Sequence, residues 1–229
     1  MFSFVHDGEQ TAALVKSRGY RKVLIIHSLD PATKFGVTKI IEPLLLKQGT
    51  TFTTEGFEPG TTDFKTLAAK HARGDYDCIV MHGFGRDLPF LAEALKQQPR
   101  LASLPRLTSL STLDVPLEKR SVLSGAEFFA PVFVGNPGPK VADLQKRYET
   151  RFPNAAFTYS SVYAYDAYSL LVRALIDGGS ADPLAIKKRL QTPTKALSDT
   201  YTFTESGDTI PSVSLHSIDQ TGNFQSARE

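Results

Sequence analysis

Short apolar runs alternate with segments of helical length as far as Phe133, and this alternation constrains the fold more than any other feature of the chain. The runs are rich in β-branched residues, as in 22–26 (KVLII) and 78–81 (CIVM), which is typical of strands covered on both faces. Strands and helices in strict alternation predict a parallel sheet with helices on both faces and right-handed crossovers. In such sheets ligands bind outside the carboxyl ends of the strands.

The predicted elements follow closely on one another. Helices are predicted at 7–19, 35–47, 63–72 and 87–98. Strands are predicted at 22–26, 50–57, 78–81, 105–110 and 126–133, with a weak helical turn at 116–122. Asp63 and Asp87 stand at the starts of two of these helices, where a carboxylate can accept hydrogen bonds from the free N–H groups of the first turn. Both are therefore interpreted as N-caps.

After Phe133 the pattern changes to a Pro- and Gly-rich linker at 134–139. Helices are then predicted at 140–152, 160–177 and 183–191, and strands at 201–204 and 212–218. The second of these helices has an apolar stripe that is too wide for a helix standing alone. The stripe consists of Val162, Tyr165, Ala167, Tyr168, Leu171, Val172 and Leu175. If nothing else covers it, this face predicts self-association into a homo-oligomer.

Composition and charge exclude several classes of protein. The 229 residues are 41% hydrophobic and 22% charged, which is typical of a globular chain. The net charge is +2 and the basic residues are scattered, so no nucleic-acid partner is expected. No apolar run approaches the ~20 residues that cross a bilayer, so the chain is not expected to be embedded in a membrane. Its start, MFSFVHDGEQ, lacks the basic and apolar regions of a secretory signal peptide.

Segments spread over nearly the whole chain resemble, in their order and spacing, one family. They are GYRKVLIIHSLDPATKFG, FEPGTTDFKTLAAK, YDCIVMHGFGRDLPFLAEAL, LQKRYETRFP, VYAYDAYSLLVRAL and FTESGD followed by VSLHSIDQTGNF. The chain resembles the type I periplasmic solute-binding proteins of the branched-chain amino-acid (Leu/Ile/Val-binding) family of ABC importers. Each segment is weak evidence alone, whereas the ordered set is specific.

The resemblance implies an architecture. Members of this family have two Rossmann-like lobes, joined by three hinge crossovers, that close on a ligand. Residues 7–133, completed by 212–229, would be the second lobe, and 134–211 would be the hinge crossover and a helical segment belonging to the first lobe. Most of the first lobe is expected to be missing, which would also explain the uncovered helix and the missing signal peptide. Whether Met1 is the native start stays open.

The first of three turns expected to face the ligand follows strand 22–26. In the family an aromatic residue before a glycine often packs on the ligand, which implies Phe35 before Gly36. Ser28 and Asp30 are the polar candidates, together with the N-terminus of the following helix. Asp30 precedes Pro31 and is equally well explained as a residue that shapes the turn and caps the helix.

The second turn, after strand 78–81, contains Phe84, Gly85 and Arg86. Phe84 aligns with an aromatic residue that lines the pocket in relatives, and the glycines at 83 and 85 allow a tight turn. Arg86 is either a bidentate partner for a carboxylate or phosphate or a solvated surface residue.

The third turn contains Ser109, Ser111 and Thr112. Amino-acid-binding relatives commonly place an acid near Leu110 or Ser111 to hold the ligand's ammonium group, and this chain has none there. Asp114 is the available substitute. Without such an acid a buried ammonium would be costly, so aromatic acids, short carboxylates and other small metabolites stay open as ligands.

The residues give no support for catalysis. The chain has no G-x-S-x-G or H-E-x-x-H motif, and Cys78 lies in a predicted strand, where an inert buried thiol is expected. His27 and His82 follow adjacent strands and are only weak candidates for a metal site. The favoured hypothesis is a non-catalytic solute-binding component of an ABC importer that needs no cofactor. Its partners would be a small-molecule ligand and an ABC permease, and its location periplasmic or extracellular.

Two alternatives stay open. One is a ligand-sensing or protein-interaction domain that has kept the fold and lost transport. The other is an enzyme that acts on a small substrate between lobes, since α/β folds of this kind also host catalysis.

Overall fold

The computed structural model describes residues 4–209 and 212–227. Two compact units divide the chain. The sheet unit contains Phe4–Ala130 together with the end of the chain from Ser214, and the helical unit contains Pro131–Val213.

The helices of the described residues are α1 (Phe4–Ser17), α2 (Pro31–Phe35), α3 (Glu42–Lys47), α4 (Lys65–His71), α5 (Leu88–Lys96), α6 (Pro99–Ala102), α7 (Leu117–Arg120), α8 (Pro139–Arg151), α9 (Tyr159–Gly178) and α10 (Pro183–Leu190). A π-helical segment, Gly36–Ile41, joins α2 to α3, and two 3₁₀ segments lie at Leu110–Asp114 and Ser121–Leu123. The strands are β1 (Lys22–Ser28), β2 (Thr51–Phe57), β3 (Cys78–His82), β4 (Arg106–Thr108), β5 (Ala126–Pro131), β6 (Thr194–Lys195), β7 (Thr200–Tyr201), β8 (Val213–Ile218) and β9 (Phe224–Ser226).

The main sheet has the strand order β2-β1-β3-β4-β5-β8-β9. Strands β2, β1, β3, β4 and β5 pair in parallel, and β9 pairs antiparallel with β8. The predicted fold class, a Rossmann-like parallel sheet with helices on both faces, is confirmed. The antiparallel strand β9 was not predicted.

The core of the sheet unit explains why its strands are continuously apolar. Val23 and Ile25 of β1 pack in one cluster with Val15 of α1 and Ile41 of the π-helical segment. Leu24, which lies between Val23 and Ile25 on β1, is also wholly buried. Because successive side chains on a strand point to opposite faces, both faces of the sheet are covered.

Helix boundaries differ from the sequence predictions at several points. The helix predicted at 35–47 begins at Pro31, because the Asp30 carboxylate accepts hydrogen bonds from the N–H groups of Ala32 (3.1 Å) and Thr33 (2.9 Å). Asp63 does accept a hydrogen bond from Lys65 N–H, at 3.0 Å. The interpretation of Asp87 as an N-cap is wrong, since its side chain makes no capping hydrogen bond to α5.

The helical unit is organised around a buried carboxylate on α9. Asp166 accepts hydrogen bonds from the backbone N–H groups of Leu197 (2.8 Å) and Ser198 (3.1 Å), and from the hydroxyl groups of Ser198 and Tyr201. These contacts hold the β6–β7 hairpin against α9. The strand predicted at 201–204 is therefore only the two-residue β7, which pairs with β6, a strand that was not predicted.

The apolar stripe predicted on α9 is divided between two sides of the helix. Val162 is buried, on the side that also buries Leu170 and Ala174. Tyr168 and Leu171 are exposed, with 69% and 45% of their surfaces accessible. Part of the stripe thus has no cover among the residues that the structure describes.

Candidate functional site

Three turns lie side by side at the carboxyl edge of the sheet. Strands β1, β3 and β4 are neighbours in the sheet and run in parallel. His27 pairs with His82 and Met81 with Thr108, so the three strands end at nearly the same level. The turns that follow them are the first turn (28–36), the second turn (82–87) and the third turn (109–114). This is the edge at which parallel α/β sheets bind ligands.

The first turn presents one aromatic side chain above a fixed backbone. Half of the Phe35 surface is exposed, whereas Ser28 and Gly36 are buried. The Ser28 hydroxyl oxygen accepts a long hydrogen bond, 3.4 Å, from Asp30 N–H. Burial would raise the pKa of Asp30, but hydrogen bonds from Thr33 and its neighbours hold it below the ordinary value. Asp30 is thus an ionised cap that anchors the turn from which Phe35 projects.

The second turn presents Phe84 and Arg86 to solvent. Phe84 exposes 39% of its surface, and the Arg86 side chain is largely exposed, with its Nε 3.7 Å from a carboxylate oxygen of Asp87. Gly83 and Gly85 are buried beneath them. A Cβ added to Gly83 would lie 3.0 Å from the ring of Phe57, so the turn packs closely on the end of β2.

The third turn consists largely of the 3₁₀ segment Leu110–Asp114, which hydrogen bonds fix in place. Its first N–H bond runs from Thr112 to the Ser109 carbonyl oxygen at 3.0 Å, and the Thr112 and Thr108 hydroxyl oxygens lie 3.0 Å apart. Ser109 and Thr112 are buried, whereas Ser111 is half-buried and Asp114 is exposed. Ser111 and Asp114 are therefore the polar side chains of this turn within reach of a ligand.

Gly85 brings the second and third turns into direct contact. A Cβ added to Gly85 would lie 2.7 Å from the carbonyl carbon of Asp114, 2.8 Å from its Cβ and 2.9 Å from the Ser111 carbonyl oxygen. A side chain at this position would separate the two turns. The close approach gives a physical reason for a glycine directly after Phe84.

Asp87 is a buried acid at this edge whose position sequence reasoning did not reveal. It is 1% exposed, and its carboxylate accepts a hydrogen bond from Gly60 N–H in the loop after β2. Burial, the largest effect, raises its pKa, and the nearby Asp30 carboxylate raises it further against the opposing charge of Arg86. Asp87 therefore links the second turn to the loop after β2. Only the three-dimensional structure shows this, because Gly60 is distant in sequence.

A second buried acid, Asp7 of α1, lies behind the second and third turns. Its Oδ2 is 3.6 Å from Nε2 of His82. The sequence did not predict that these two residues lie close together. Helix α1 gives no sequence signal that it reaches this edge.

The described residues provide neither a cluster of metal ligands nor a reactive thiol. Among residues 4–209 and 212–227, no group of three or more His, Cys, Asp or Glu side chains could hold a metal ion. Cys78 is buried, as expected, and burial raises the pKa of its thiol to about 12, so it is no nucleophile near neutral pH. The helices described by the structure include none that is long and apolar enough to cross a membrane.

Comparison with known proteins identifies the family. The profile of the "Periplasmic binding protein" family matches residues 1–209, most of the chain. The chain belongs to this family of periplasmic binding proteins. No curated protein sequence matches it significantly.

Solved structures share the fold of this periplasmic binding protein. A branched-chain amino-acid ABC transporter periplasmic ligand-binding protein from Burkholderia xenovorans has a TM-score of 0.84 at 15% identity, covering 98% of this chain and 63% of that one. The leucine-binding protein LivK from Thermotoga maritima has a TM-score of 0.78 at 17% identity, covering 97% and 64%. An ABC transporter solute-binding protein from Rhodopseudomonas palustris, in complex with 4-hydroxybenzoate, has a TM-score of 0.79 at 16% identity, covering 99% and 64%.

These comparisons confirm the family and the fold inferred from the sequence motifs. The chain spans less than two thirds of the length of each of these periplasmic binding proteins. At such identities the likeness establishes the fold, and the ligand has to be argued from the site.

Proposed function

We propose that the protein is the solute-binding component of an ABC importer and binds a small polar metabolite, an amino acid or a related carboxylate, without catalysis. The residues in contact with the ligand would come from the three turns at the carboxyl edge. The parent protein would act in the periplasm or outside the cell and deliver its ligand to an ABC permease.

The observation that carries this proposal is the meeting of the three turns. Phe35 and Phe84, two large apolar side chains that soluble proteins usually bury, are both partly exposed at this one edge. The second and third turns also present the polar side chains of Arg86, Ser111 and Asp114, which are exposed or half-buried. Apolar walls with a few polar groups that fix orientation are typical of small-molecule sites.

The charges at the edge favour a ligand that carries a carboxylate. Arg86 is the exposed cation of the second turn and can hold a carboxylate through two parallel N–H bonds. Asp114 is the exposed acid of the third turn and would serve an ammonium group, so an amino acid would engage both ends. A ligand without an ammonium group, such as an aromatic acid, would use Arg86 and the two phenyl rings alone.

His27, His82 and Cys78 argue against catalysis, because all three are buried. The thiol of Cys78 is buried and protonated. His27 and His82 are buried cross-strand partners, and the imidazole Nδ1 of His27 lies 2.8 Å from the Ser28 carbonyl oxygen, where it donates a hydrogen bond. A general base needs access to the substrate, which these buried imidazoles lack.

Isothermal titration of a two-lobed protein that contains this chain, against a panel of metabolites, tests the proposal. The panel includes L-leucine, other amino acids, 4-hydroxybenzoate and short carboxylates. We expect saturable binding of at least one compound, weakened tenfold or more by Phe84→Ala. Phe152→Ala is the matched control, since Phe152 is also half exposed but belongs to the helical unit. No binding at millimolar concentrations would reject the transport role and favour the interaction-domain alternative.

A further inference from the structure

Asp7 ties helix α1 to the third turn. The residue lies in the first turns of α1 and is 5% exposed. Its carboxyl group accepts a hydrogen bond from the backbone N–H of Leu110, the first residue of the 3₁₀ segment. The position of the third turn on the edge therefore depends on a side chain more than 100 residues earlier in the chain.

The same carboxyl group reaches the second turn. Asp7 Oδ2 lies 3.6 Å from Nε2 of His82, and the two side chains are only 7% and 3% exposed. His82 is the last residue of β3 and leads directly into the turn that carries Phe84. Its Nε2 is buried and has no hydrogen-bond partner in the described part of the chain. Asp7 is thus the neighbour available to that nitrogen.

Burial decides the charge state of this pair. Burial raises the pKa of Asp7 to about 7, although the bond from Leu110 opposes the rise. Burial also lowers the pKa of His82 to about 4; the neighbouring His27 of β1 adds to this, and Asp30 of the first turn opposes it. Between about pH 4 and pH 7 the pair is therefore a protonated carboxyl beside a neutral imidazole. Such a carboxyl accepts a hydrogen bond from Leu110 N–H, and its Oδ2 faces Nε2 of His82 at 3.6 Å, a contact longer than a hydrogen bond.

We propose that Asp7 is a positioning residue, which holds the second and third turns in register by accepting a hydrogen bond from Leu110 N–H while its carboxyl group packs against Nε2 of His82. The inference rests on the proposed function, because the two turns matter as walls of the ligand site. Asp7 is too deeply buried to touch the ligand. It would affect ligand affinity indirectly, through the backbone positions of Phe84 and Ser111. Above neutral pH Asp7 becomes a buried carboxylate beside the neutral His82, and the register loosens.

Amide NMR of the full chain tests this without any ligand. In the unsubstituted protein we expect the Leu110 amide to exchange slowly and its chemical shift to titrate with a midpoint near pH 7. Asp7→Ala removes the acceptor and should speed exchange of that amide at least tenfold. Asp7→Asn keeps a carbonyl acceptor, so the amide should stay protected while its titration disappears. Glu9→Gln, on an exposed position of the same helix, is the control that should change neither.

Each outcome of these measurements either supports or overturns the positioning role of Asp7. Unchanged exchange of Leu110 in Asp7→Ala, or a titration that persists in Asp7→Asn, would overturn the positioning role. If Asp7→Ala does not fold, Asp7→Asn alone decides through the titration. Where a panel compound binds, its affinity should fall at least fivefold between pH 6 and 8 in the unsubstituted protein and stay constant in Asp7→Asn. Failure of every compound to bind would reject the proposed function and leave the amide results to decide the role of Asp7.

Discussion

Replacing Gly85 with alanine should separate the second and third turns. The added Cβ would lie 2.7 Å from the Asp114 carbonyl carbon and 2.9 Å from the Ser111 carbonyl oxygen, whereas ordinary contacts begin at 3.4 Å. The nearest atoms are mostly backbone and cannot rotate away. One turn must therefore move by the difference, about 0.7 Å.

The size of the effect follows from that displacement. Overpacking of this kind costs about 1–3 kcal/mol of unfolding free energy. For a protein of this size it should lower Tm by roughly 2–12 °C. The movement also separates Phe84 from Ser111, so ligand affinity should fall by about tenfold, equivalent to roughly 1.4 kcal/mol.

Thermal unfolding followed by circular dichroism measures the first effect and titration calorimetry the second. Gly178→Ala is the control, because a Cβ added there meets nothing within 4 Å. Alanine is also the better helix former, so the control should melt at the same temperature or higher. If Gly85→Ala melts within 1 °C of the unsubstituted protein, the two turns are not in contact and the description of the edge is wrong.

For three further perturbations the structure predicts the direction of the change in stability. Asp166→Asn removes one acceptor oxygen from a buried set of donors and should cost about 1–3 kcal/mol in urea unfolding; no loss would contradict the network. Arg106→Met removes a buried guanidinium whose Nε and Nη1 have no partner in the described chain, at the expense of one bond to the Ser124 carbonyl oxygen. It should leave stability unchanged or raise it by up to about 2 kcal/mol, and a loss above 1 kcal/mol would refute this. Because the folded-state pKa of Asp7 is raised from 3.8 to about 7, its contribution to stability falls as pH rises through that window. Asp7→Asn should therefore gain roughly 2–4 kcal/mol relative to the unsubstituted protein between pH 4 and 7, and a constant difference would contradict the shift.

The sheet could be predicted from the sequence because its signals are local. A strand buried on both faces needs consecutive apolar residues, and KVLII and CIVM satisfy that requirement without reference to the rest of the chain. Helix starts were less secure. Asp30 and Asp87 both precede a proline-containing first turn, yet only Asp30 caps its helix. The carboxylate of Asp87 bonds instead to Gly60, which no local pattern indicates.

The candidate site was predictable as a set of turns but not as a network. The rule that ligands bind at the carboxyl ends of parallel strands, together with the family motifs, indicated Phe35, Phe84 and Ser111. The contact between Gly85 and Asp114 depends on the packing of two loops, and the Asp7–His82 pair joins a helix to a strand far along the chain. Such contacts come from tertiary packing, and single-sequence periodicity contains no information on them.

Mapping of backbone amide shifts during titration with the tightest-binding panel compound tests the central claim most directly. The claim is that the turns after β1, β3 and β4 form one ligand-binding surface. We expect the largest shift changes at Phe35–Gly36, Phe84–Arg86 and Ser111–Thr112, all saturating with one dissociation constant. Changes confined to the opposite edge of the sheet, around Tyr20 and Thr50, or to the helical unit would contradict the account.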